Sequence, residues 1–207
     1  MKRTMLFNLT ILLLAGLTIL SCSLFAQDIN LPAPERTGGM PLMEAISQRQ
    51  SSREFSGKEL SQQMLSNLLW TAYGFNREDK RVVPSANNKQ SFDVYVVLES
   101  GIYLYDAKAN QLILKVKGDH RAATGKQDFV ATAPVNLLFV ANYEIQPDRS
   151  TSHVDCGFIS QNVYLFCASE GLATVVRGWL DKDAIRNLLG LSEKYEVILA
   201  QTVGYKK

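Results

Sequence analysis

Apolar and polar positions along the chain follow two alternating rhythms. Leu42, Ala45, Ile46 and Arg49 fall on one face of a short helix after the Pro- and Gly-containing stretch "NLPAPERTGGMP", with Glu44 in its early turns. A second helix is predicted from Glu59 to Tyr73, where Leu60, Met64, Leu65, Leu68 and Leu69 recur at spacings of three and four before Gly74. The segment "REDKRVVPSANNKQ", Arg77 to Gln90, has no period and reads as a polar loop.

Three strand patterns follow: Phe92–Glu99, Gly101–Asp106 and Gln111–Val116. The turn-like "SG" and "DAKAN" between them make an antiparallel meander. A short helical piece is expected from Arg121 to Thr132. "PVNLLFVANY", Pro134 to Tyr143, is apolar almost throughout, as in a central strand covered on both faces. "DCGFISQNVYLFCASEGL" reads as a long helix, with Gly171 as its stop and with Gln161 and Asn162 needing partners wherever they are buried. A short helix at Lys182–Leu189 and a last strand in "EVILAQTVGYKK" complete the pattern. Strands mixed with helices, without strict alternation, predict an α+β fold: a central, mainly antiparallel sheet flanked by helices.

Charge changes this picture only at the front of the chain. "MKRTMLFNLTILLLAGLTILSCSLFAQ" has a basic start at Lys2 and Arg3 and an apolar run from Leu9 to Leu20. That run has the length of a secretory signal core and falls short of a bilayer span. Two endings compete, cleavage after Ala26 or lipid attachment at Cys22, so residues 1–26 are read as an export signal, 27–40 as a leader and 41–207 as the folded domain. The expected location is outside the cytoplasm, periplasmic or lipid-anchored to a membrane. The chain carries 22 basic and 20 acidic residues. Lys2 and Arg3 are the only charges in the signal, so the remainder balances at 20 against 20 and offers no basic stripe for nucleic acid.

Cys156 and Cys167 lie eleven apart in one helical segment. They share a face about 16 Å apart, too far for a disulfide. With His120 and His153 as the only histidines, no metal-ligand spacing appears.

Three stretches could carry chemistry. "RQSSREF", Arg49 to Phe55, sets two guanidinium groups around two hydroxyls, a donor set that suits phosphate and equally describes a solvated helix end. "PSANNKQ" places Asn87, Asn88 and Gln90 before the first strong strand. Their amides could read the edge of a heterocycle, or simply shape a turn with Asn in left-handed conformations. "EGLATVVRGW" sets Gly178 after an apolar run, where a backbone N–H can approach a planar ligand or the chain can merely turn.

Taken together these stretches resemble the nitroreductase family of FMN enzymes, over about Pro41 to Lys206. The matching residues are Arg49, Ser51, Arg53 and Phe55; Pro84, Ser85, Asn88 and Gln90; Gly171, Leu172, Thr174, Val175, Arg177 and Gly178; Gln161, Asn162, Tyr164 and Leu165; and Val203, Gly204, Tyr205 and Lys206 or Lys207. The resemblance implies FMN as cofactor. Arg49, Gln50, Ser51, Arg53 and Lys206 would hold its phosphate and ribityl chain, the backbone around Arg177 and Gly178 would lie at its ring, and Pro84, Ser85, Ala86 and Asn88 would reach it from a partner subunit. It further implies a homodimer, with the apolar face around Phe158 to Ala168 at the interface.

The implied activity is ping-pong transfer from an NAD(P)H-like donor through FMN to a quinone-like or nitroaromatic acceptor, with no side chain required as nucleophile or base. Many members of the family carry Glu where Arg177 stands, which leaves only backbone contact to carry over there. An exported flavin carrier or sensor without pyridine-nucleotide turnover is the alternative reading, and a structural domain without flavin is the third.

Overall fold

A computed structural model describes residues 27–207. The export signal and the lipid-attachment site read from residues 1–26 lie outside the described residues. The described chain is an α+β fold built on one seven-stranded sheet. The strands are β1 (Ile29–Asn30), β2 (Phe92–Leu98), β3 (Gly101–Asp106), β4 (Gln111–Lys117), β5 (Val135–Asn142), β6 (Leu172–Arg177) and β7 (Tyr195–Tyr205). Their spatial order is β1-β4-β3-β2-β5-β7-β6, and every neighbouring pair is antiparallel.

The apolar run expected to form a central strand does so. β5 lies between β2 and β7, and its residues from Val135 to Ala141 are all buried. Because side chains alternate across a strand, the run feeds two cores. Leu137 and Phe139 join Val94 and Val96 against helices α2 (Gln62–Tyr73) and α3 (Arg149–Ser169). Leu138 and Val140 join Tyr95, Val97, Val197 and Ile185 of the short helix α4 (Lys182–Leu188) on the other face.

Helix starts follow the capping chemistry. α2 begins at Gln62 rather than Glu59 because the Ser61 hydroxyl accepts the Met64 N–H at 3.1 Å. Asp148 and Asp181 cap α3 and α4 in the same way. α3 stops where Gly171 takes φ +68° and turns the chain into β6. Cys156 and Cys167 are buried free thiols on α3. Asn162 is half-buried and donates to the Thr71 carbonyl at 3.0 Å, while Gln161 is exposed.

Three expectations need correction. The segment Arg121–Thr132 is two separate 3₁₀ turns, Arg121–Thr124 and Asp128–Ala131, because Gly125 between them is fully extended. The run Leu172–Arg177, read only as an apolar approach to Gly178, is the edge strand β6. The first helix, α1 (Leu42–Gln48), buries only Ala45 and leaves Leu42, Met43 and Ile46 exposed, so its apolar face does not look into this chain's core.

Candidate functional site

The stretch from Arg49 to Ser56 is extended and stitched across the ends of β6 and β7. α1 ends at Gln48, where Arg49 turns to ψ 120°. The Ser52 N–H then donates to the Thr174 carbonyl at 2.9 Å, Phe55 pairs with Lys206, and the Ser56 N–H donates to the Tyr205 carbonyl at 2.9 Å. The backbone of "RQSSREF" is thereby fixed to the sheet, so its side chains project from a rigid base.

Tyr164 of α3 underpins this segment. Its hydroxyl lies 2.7 Å from Ser51 Oγ and accepts the Val176 N–H at 3.0 Å. The Arg49 guanidinium stands over its ring, 5.2 Å from the centroid. Arg49, Gln50, Ser52, Tyr164, Thr174 and Lys206 line a cleft of about 250 Å³ between α1, α3 and the sheet edge. Ser51 does not line it, being turned to Tyr164, and neither does the exposed Arg53. Among the described residues, no ion pair engages Arg49, Arg53 or Lys206. Two of these cations thus line a polar cleft with a third nearby, which is the donor chemistry a phosphate requires.

Residues 84–90 lie elsewhere on the same chain. Pro84, Ser85 and Ala86 face Val154, Asp155 and Phe158 of α3 across an open cleft of about 420 Å³. Asn87, Asn88 and Gln90 take φ of +51°, +54° and +50°, the left-handed conformations that asparagine tolerates best. The side-chain amides of Asn88 and Gln90 donate to the Asp79 carbonyl at 3.4 and 2.7 Å, and Arg81 donates to Gln90 at 3.1 Å. The Asn88 and Gln90 amides shape the loop. Toward the cleft against α3 it presents Pro84, Ser85 and Ala86, with Asn87, Asn88 and Lys89 exposed beside them. It is anchored by the buried Asp155, whose carboxylate oxygens each lie 3.3 Å from the Ala86 N–H, and burial pushes the Asp155 carboxyl above its usual range.

Arg177 and Gly178 close β6. The Arg177 side chain turns away from solvent and is 4% exposed. It donates to Thr202 Oγ1 at 2.9 Å, the Thr124 carbonyl at 2.8 Å and Asn136 Oδ1 at 3.0 Å. Arg177 lines none of the clefts described above, and Gly178 after it is exposed. Tyr164 and Thr174 belonged to the motifs but not to the expected site. Ser52 and Asp155 carried a weaker signal, a second hydroxyl inside "SS" and a carboxylate on the apolar face of a long helix.

The nitroreductase family model matches residues 46–205, which takes in the loop, both ends of β6 and the cleft up to Tyr205, one residue short of Lys206. The chain belongs to the nitroreductase family. A protein of Methanocaldococcus jannaschii assigned as a nitroreductase is 33% identical over 190 residues, covering 84% of this chain and 94% of the relative. A crystal structure assigned as a nitroreductase of Ralstonia eutropha is 42% identical, covers 88% of this chain and 90% of its own, and superposes with a TM-score of 0.82. An FMN-dependent nitroreductase of Clostridium difficile shares the fold at 18% identity and a TM-score of 0.59, over 80% of this chain and 87% of that one. Nitroreductases are flavoproteins, and this chain is an oxidoreductase of that family.

Proposed function

We propose that this nitroreductase binds FMN with its phosphate in the cleft between Arg49 and Lys206, and that it works as a homodimer. The observation that carries the reading is the cleft itself: cations without carboxylate partners, on a backbone pinned to the sheet edge. Arg49 and Lys206 would neutralise the phosphate, with Gln50 and Ser52 donating beside them, Ser51 holding Tyr164, and Arg53 adding charge from outside. From Thr174 in the cleft, β6 runs four residues to Gly178, about 13 Å at strand rise, which sets the exposed Gly178 backbone at the far end of a phosphate-to-ring span. Bound there, FMN would take a hydride equivalent from an NAD(P)H-like donor and pass it to a quinone-like or nitroaromatic acceptor in ping-pong fashion.

Support for the dimer comes from what one chain leaves undone. The loop of Pro84, Ser85, Ala86 and Asn88 does not line the cleft of Arg49 and Lys206. Exposed apolar side chains lie beside both half-sites, Leu42, Met43 and Ile46 on α1 and Val154 and Phe158 on α3. A second copy would cover these faces and bring its own loop to the first copy's cleft. Export, with or without a lipid on Cys22, completes the proposal. It makes the donor an open choice between a pyridine nucleotide and an envelope reductant.

Reconstitution tests this. The protein is loaded with FMN, desalted, and followed by visible absorbance and by light scattering. One flavin per chain in a dimer, bleached by NADH or NADPH and recovered by a quinone, is the expected result. Flavin that only dithionite reduces identifies a carrier, and a colourless folded protein overturns the cofactor.

A further inference from the structure

Arg177 is a cation sealed inside the protein without a counter-charge. Its three acceptors are neutral, and the network behind them is neutral too: Thr202 Oγ1 donates to Asn136 Oδ1 at 2.7 Å, and Asn136 Nδ2 donates to the Val130 carbonyl at 3.0 Å. Among the described residues no carboxylate pairs with it. A buried charge without an opposite charge opposes folding, so its retention calls for a task. The cage is also built to close on it. A Cβ on Gly125 would stand 2.0 Å from Arg177 Nη1 and 3.1 Å from Gln127 Oε1, a buried acceptor that has no partner. The Lys126 N–H donates to the Trp179 carbonyl at 3.3 Å, clamping the loop just beyond Gly178.

Resting on the FMN reading above, we infer that the buried Arg177 charge raises the reduction potential of the bound flavin, acting through its field rather than by contact. The guanidinium is on the residue before Gly178, whose exposed backbone faces the ring in that reading. A hydride equivalent, two electrons and one proton, leaves the donor oxidised and adds one net negative charge to the ring. A fixed positive charge in a low-dielectric interior favours that added charge and changes the binding of the neutral oxidised ring much less. Burial lowers the Arg177 pKa to about 10, so the group stays charged at neutral pH.

The test is a potentiometric titration of the FMN-loaded protein and of Arg177→Gln and Arg177→Lys, beside FMN affinity in the oxidised state. Arg177→Gln should hold oxidised FMN within a few fold of wild type while binding reduced FMN about tenfold more weakly, a drop of about 30 mV for a two-electron couple. Arg177→Lys, which keeps the charge and loses the fork, should keep most of the wild-type potential. An unchanged potential in Arg177→Gln, or an equal drop in both variants, overturns the inference and leaves Arg177 a structural tie. If Arg177→Gln does not fold, the wild type decides: a potential above that of free FMN supports the role, and one below it overturns it. A colourless protein fails the cofactor reading, whereas a yellow protein with an unmoved potential fails this inference alone.

Discussion

The hydroxyls of Ser51 and Tyr164 stand 2.7 Å apart, joining the extended segment after α1 to the middle of α3. Tyr164 also takes the Val176 N–H, so one phenol connects three elements around the cleft. Replacing it with Phe keeps the ring under Arg49 but leaves Val176 without its acceptor. Tyr164→Phe should lose about 1–3 kcal/mol in urea unfolding and bind FMN more weakly. Wild-type values for both would remove Tyr164 from the site's support.

Arg49 and Lys206 make no ion pair with any described residue, so their loss should be felt by the ligand and not by the fold. Each Ala variant is expected to keep its melting temperature and to weaken FMN roughly ten- to hundredfold, the worth of a charge-assisted hydrogen bond of about 1.5–3 kcal/mol. Added salt should narrow the difference. Flavin retained at one per chain by the double variant would place the phosphate elsewhere.

Gly125 has ordinary extended dihedrals, so its need is steric rather than conformational. Its missing Cβ leaves the room that the Arg177 guanidinium occupies. Gly125→Ala should therefore destabilise by about 1–3 kcal/mol, as overpacking does, measured by thermal or urea unfolding. A neutral result would mean that the loop of 3₁₀ turns yields easily.

Asp155 gives a pH signature. Burial raises its folded pKa above the unfolded value, so the folded chain holds its proton more tightly. The associated stability is fully present below the unfolded pKa and is lost as pH rises through the folded pKa. Asp155→Asn retains an oxygen to accept the Ala86 N–H and removes the charge. The variant should gain on wild type as pH climbs from acid to neutral, read as the difference between their unfolding curves. A gap that is constant with pH would show that folding does not shift the Asp155 carboxyl.

Much of this was legible because local pattern and long-range packing agreed. β5 declared itself through an apolar run that only a doubly covered strand can bury, and the meander of β2 to β4 through alternation with turns between. β6 was hidden because its six residues lie between two glycines that read as punctuation, while each pairs with a residue of β7 more than twenty positions further along the chain. The outward face of α1 shows a different limit: periodicity says that Leu42 and Ile46 share a side, not what covers it. At the candidate site, "RQSSREF" stood out from its composition, yet which serine faces the cleft depends on Tyr164, over a hundred residues later. The fate of Arg177 was beyond any spacing rule, since its cage is assembled from Thr124, Asn136 and Thr202 on three separate elements.

The two-residue strand β1 has an effect on handling. Ile29 and Asn30 pair with β4, and Asp28 accepts the Leu114 N–H at 2.8 Å, at one margin of the sheet, while β6 forms the other. Six inter-strand spacings, about 29 Å in all, separate them. An affinity tag, a bead or a bilayer joined ahead of Gln27 would therefore hold the protein by the β1 edge, leaving the β6 margin, with the cleft proposed for flavin, turned outward to solutes.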